Sequence, residues 1–132
     1  MKSITDMISA ELRIACAEKC GWRIEEEQNI VPVEKSIFRI YHNNYFCEMI
    51  KEYSSAINLL KRQYYPDYEH DMNTCMELME KIWEKKPGAF IEQNGINWWQ
   101  NDLQFGIKKH EIKNLSLPIA VMRAFLTVME DN

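Results

Sequence analysis

Two groups of side chains have the types and spacing to do chemistry. Cys16 and Cys20 are four residues apart, so a helix would set both thiols on one side, where a nearby histidine could help them hold zinc. Asp67, Glu69, His70 and Asp71 bring carboxylates and an imidazole together within five residues, a set able to ligate a metal or move a proton. Each group has a plainer reading. No second Cys or His pair stands at ligand spacing, and buried cysteine is among the commonest core residues. The acidic segment leads into a helix, whose N-terminal dipole favours negative charge, and no second acidic cluster completes a site. His42 and His110 lie far from His70 in the chain.

Nucleophile elbows, phosphate loops and dinucleotide fingerprints are missing, and Gly21, Gly88, Gly95 and Gly106 offer little material for a phosphate-cradling loop. The reading leans away from an enzyme and implies no cofactor and no metal. Its rival is a small enzyme or ligand-binding domain with a site near the acidic segment 67–71. Aromatic side chains are the remaining candidates for function. Tyr64, Tyr65 and Tyr68 flank Pro66, and Trp98 stands beside Trp99; such amphipathic rings anchor protein interfaces. A proline turn tends to hold its neighbours at the surface, which makes the three tyrosines the first interface candidates and Trp98 the next.

The elements that must position these residues are legible in the apolar periodicity. Ser3 with Asp6 resembles a capping pair, Ile4, Met7, Ile8, Leu12 and Ala15 recur at helical spacing, and Gly21 suits a helix end. From Trp22 to Val33 a loop or short strand follows. Ser36 to His42 reads as a strand closed at Asn43-Asn44. Phe46, Met49, Ile50, Tyr53, Ile57, Leu60 and Tyr64 then form one stripe, predicting a helix from Tyr45 that stops before Pro66. The next helix carries the stripe Met72, Cys75, Met76, Met79, Ile82 and Trp83, capped by Asp67 or Asp71 and ended at Pro87-Gly88. Segments 89–92 and 97–109 read as a hairpin around Gln93-Asn94-Gly95, and a last helix begins near Ser116 with Pro118 in its first turn. The order predicts a single α+β domain over residues 1–132, with helices packed on a small antiparallel sheet.

The 132 residues suffice for one core. A hydrophobic fraction of 46% with 27% charged residues is that of an ordinary globule. Cys16, Cys20, Cys47 and Cys75 all fall in helix-like segments at core-like positions, which points to reduced thiols and a cytoplasmic setting. No apolar run is long enough to cross a bilayer. Sixteen basic against 20 acidic residues, net charge -4, show no dense basic face, so nucleic acid is not an expected partner.

Three segments carry a family resemblance: Ala15 to Arg23, Tyr65-Pro66-Asp67-Tyr68-Glu69-His70-Asp71-Met72-Asn73, and Pro118 to Leu126. Together they resemble the phage ABA-sandwich family of small phage and prophage proteins. The resemblance implies an α-β-α sandwich and a phage or prophage origin, and it implies no activity. The combined expectation is an accessory protein in the host bacterium's cytoplasm, acting without catalysis through a protein partner or self-association and modulating a host process.

Overall fold

The computed structural model describes residues 3–27, 35–93, 95–102, 106–113 and 116–130. Among them, four α-helices and two three-stranded antiparallel sheets make an α+β fold. The chain divides into two compact units: a terminal unit of Met1–Leu12 with Asp67–Asn132, and a middle unit of Arg13–Pro66.

The N-terminus departs from a continuous first helix. The Ser3 hydroxyl donates to the Asp6 carboxylate at 2.7 Å and caps no backbone amide, so Ile4–Asp6 closes only a 3₁₀ turn. Helix α1 (Ser9–Lys19) starts later, where Glu11 reaches back to accept the Ile8 N–H at 3.2 Å. It ends at Gly21, whose φ of +95° is one that glycine adopts at no steric cost.

In the middle unit, β1 (Trp22–Glu27), β2 (Lys35–His42) and β3 (Tyr45–Tyr53) pair in that order, followed by α2 (Ile57–Tyr64). Residues 45–53 are thus a strand where periodicity predicted a helix. The turn chemistry decides the matter, because Asn43 and Asn44 adopt φ of 51° and 69°, the conformation of a tight hairpin. The misleading spacing has its own cause. Phe46 opposes Tyr41 and Met49 opposes Arg39, with a register shift between them, so an extra residue in β3 puts Phe46 and Met49 on one face although they are three apart. A β-bulge here imitates a helical i, i+3 pair. Cys47, expected in a helical core, is exposed on this strand.

Phe38, Ile40 and Ile24 are buried on one face of this sheet, with Leu60 of α2. Around α2, the Arg13 guanidinium donates to the Arg62 carbonyl at 3.1 Å and Lys61 pairs with Glu18 at 3.2 Å.

In the terminal unit, α3 (Met72–Lys85) is capped by Asp71, which accepts the Thr74 N–H at 3.3 Å. Its buried face is Cys75, Leu78, Met79 and Ile82. Leu78 joins the stripe predicted from sequence, while Met76 is half-buried and Met72 and Trp83 are exposed. The Trp83 ring N–H donates to the Ala89 carbonyl at 2.8 Å, which positions the ring at the helix end. Strands β4 (Phe90–Glu92), β5 (Gly95–Asp102) and β6 (Gly106–Lys113) form the second sheet. The second arm of the hairpin, expected over 97–109, is thus two strands, and Asn94 of the expected turn and residues 103–105 lie outside those described. Helix α4 (Leu117–Glu130) packs on β5, β6 and α3 and buries Ala120, Val121, Met122, Ala124, Phe125, Leu126 and Val128.

Candidate binding surface

The acidic segment is occupied with local structure. Asp67 Oδ1 accepts the backbone N–H of Glu69 at 3.2 Å and of His70 at 3.0 Å, and the His70 ring lies 3.1 Å from Asp67 Oδ2. Asp71 caps α3. These are the duties of carboxylates at a helix start, and no group of three His, Cys, Asp or Glu able to hold a metal occurs among the described residues. His42 stacks on Trp22 with centroids 4.3 Å apart and planes 12° apart. The side chain of His110 lies outside those described. All described cysteines are free thiols, Cys16 and Cys75 buried and Cys20 half-buried; burial pushes the Cys75 thiol up to about 11.

The interface candidates named from sequence turn inward. Tyr65 and Tyr68 are 4% and 2% exposed, Trp98 is 1% exposed, and Tyr64 is half-buried. Tyr65 leans on Trp22 with centroids 6.3 Å apart, and its hydroxyl donates to Glu18 at 3.4 Å. Burial, and then the Glu18 charge, pushes its phenol well above the usual tyrosine range. Tyr65 and Tyr68, on either side of Pro66, are thus buried instead of held in solvent. On β5, strand alternation places Trp98 inside and leaves Trp99 57% exposed.

The exposed apolar surface lies on β3 instead. Tyr45 is 79% exposed, Phe46 and Met49 each 58%, and Tyr53 48%, and β3 is an edge strand of its sheet. The register assigns Phe46, Met49, Lys51 and Tyr53 to the outer face, beside Lys35, Ile37, Arg39 and Tyr41 of β2 and Arg23, Glu25 and Glu27 of β1. Most charged groups on this face are tied to neighbours. Arg39 pairs with Glu27, Arg23 with Glu25 at 3.0 Å, the Arg23 guanidinium lies 4.3 Å from the Tyr41 ring centre, and the Lys35 ammonium lies 5.4 Å from that of Tyr53. Tyr41 and Phe46 meet edge to face at 6.0 Å. The result is a face on which rings and cations alternate. The signal in sequence was the alternation of Met49, Lys51 and Tyr53, masked by the bulge.

A second feature lies in the terminal unit, where Ile4, Thr5, Glu111, Ile112, Arg123 and Thr127 line a shallow cavity of about 220 Å³. Thr127 Oγ1 donates to the Arg123 carbonyl at 2.8 Å. No helix among the described residues is long and apolar enough to cross a membrane. Comparison with protein-family models, curated proteins and solved structures finds no match to this chain.

Proposed function

We propose that this protein is a non-catalytic binding module of phage or prophage origin, working in its host's cytoplasm through the outer face of β1, β2 and β3 and tuning a host process by contact. The observation that carries the reading is the exposure of Phe46, Met49 and Tyr53 on one face of an edge strand. Large apolar side chains exposed together on one face mark interaction sites. Exposed rings beside cations on an edge strand favour a macromolecular partner over a small metabolite. The resemblance to the phage ABA-sandwich family supports the origin. The rival enzymatic reading gains no support from Asp67 and Asp71, which serve the turn and the helix cap.

The test is recovery of associated protein and nucleic acid from cells producing the tagged protein. Phe46→Ala/Met49→Ala/Tyr53→Ala should fold normally and lose a component that the unmodified protein retains. Identical recovery with the folded triple variant would overturn the assignment.

A further inference from the structure

The outer face of the middle unit's sheet carries a charge balance opposite to that of the whole chain. Arg23, Lys35, Arg39 and Lys51 stand there against Glu25 and Glu27, in a protein of net charge -4. These cations are dispersed along the sequence, which is why no basic face is legible in it; strand pairing gathers them. Tyr41, Phe46 and Tyr53 lie among them.

We propose that this face binds a short segment of single-stranded nucleic acid, an assignment that rests on reading the face as the working surface. Bases stack on exposed rings and on guanidinium planes whatever their identity, while cations follow the phosphates. Phe46 and Tyr53 are exposed enough to receive a base. Arg23, held over the Tyr41 ring at 4.3 Å, extends that ring's platform. Lys35 and Lys51, both exposed, are the phosphate contacts, whereas Arg23 and Arg39 are steadied by Glu25 and Glu27. The distance along β3 from Phe46 to Tyr53, about 20 Å, matches a few nucleotides.

Pairing of two copies along the free edge of β3 is the weaker alternative. Glu48 opposes Ile40 and Glu52 opposes Ser36, so both point to the inner face. A two-fold antiparallel pairing centred on Ile50 would set Glu48 against Glu52 of the other copy, and one centred on Glu48 would set Glu48 against itself. Like charges directly opposite disfavour both, a common protection of edge strands.

Fluorescence anisotropy with labelled oligo(U), oligo(dT) and a duplex of equal length tests the proposal on the full chain. The single strands should bind at low salt and the duplex more weakly. The ratio of the two single strands tells whether RNA or DNA is the better ligand. Phe46→Ala and Tyr53→Ala should each weaken binding about tenfold, and Lys35→Gln/Lys51→Gln should flatten the salt dependence by a slope of about 1.4. No binding by the unmodified protein, binding unchanged in these variants while circular dichroism shows them folded, or equal affinity for the duplex would each overturn it. If the oligonucleotides fail yet the triple alanine variant loses a protein partner or self-association, the nucleic-acid assignment falls and the contact reading stands.

Discussion

The two sheets share an architecture and differ in how their outer faces are treated. Both are three-stranded, antiparallel and joined in simple order. The β4–β6 sheet is packed against α4 and buries Ile96, Asn97 and Trp98 in succession on β5, and among its described side chains Trp99 is an exposed ring. The β1–β3 sheet buries alternate residues of β2 and leaves nearly all of β3 in solvent. Their charge differs as well. Residues 13–66 hold eight basic against seven acidic side chains, and the remainder holds eight against 13. Among the described side chains, β5 is therefore chiefly core, while the β1–β3 sheet is half buried and half exposed.

The largest expected effects test whether each sheet has a packed inner face. Trp98→Ala and Phe38→Ala remove fully buried rings, one from each unit, and each should cost about 3–5 kcal/mol in chemical denaturation. A cost below 1 kcal/mol at either position would show that its sheet is not packed as described.

An intermediate effect distinguishes the units through pH. The Cys75 thiol of the terminal unit is pushed up to about 11 from 9.0 by burial. The unfolded chain therefore loses this proton first, and stability present below pH 9 falls as pH rises toward about 11, by ~2 kcal/mol. Tyr65 of the middle unit adds a loss of the same sign at still higher pH. Cys75→Val should flatten the decline between about pH 9 and 10, below the onset of the tyrosine loss, and Tyr65→Phe should leave that part unchanged. An unaltered profile in Cys75→Val would remove the buried thiol as its cause.

The smallest effects concern the outer faces. Single alanine substitutions at Phe46, Met49, Tyr53 and Trp99 should each change stability by under about 0.5 kcal/mol. Only those on β3 should reduce binding. Loss of binding with Trp99→Ala alone would transfer function to the other sheet.

How far the sequence foretold this depends on the element. Helix α3 and its stop at Pro87-Gly88 were legible because caps, periodicity and breakers agreed. The strand β2 and its Asn43-Asn44 ending were legible through β-branched and aromatic residues. Strand β3 was not, because one bulged residue gave its exposed side chains a helical spacing. The tyrosines near Pro66 were misplaced because a proline fixes a turn without fixing which side faces solvent; contacts with Trp22 and Glu18, more than 40 residues away, bring Tyr65 inward. The outer-face cations could not be seen together until the strand register was known.

The central claim, that the outer face of β1–β3 is the working surface, has built-in reporters in the methionines. Met49 on that face and Met72 outside it are 58% and 47% exposed, whereas Met79 and Met122 are fully buried. Oxidative footprinting of the purified protein should modify Met49 and Met72 and spare Met79 and Met122. The same measurement in the producing cells should show Met49 protected and Met72 still modified. Met49 equally reactive in both settings, with protection at Met72 instead, would contradict the account.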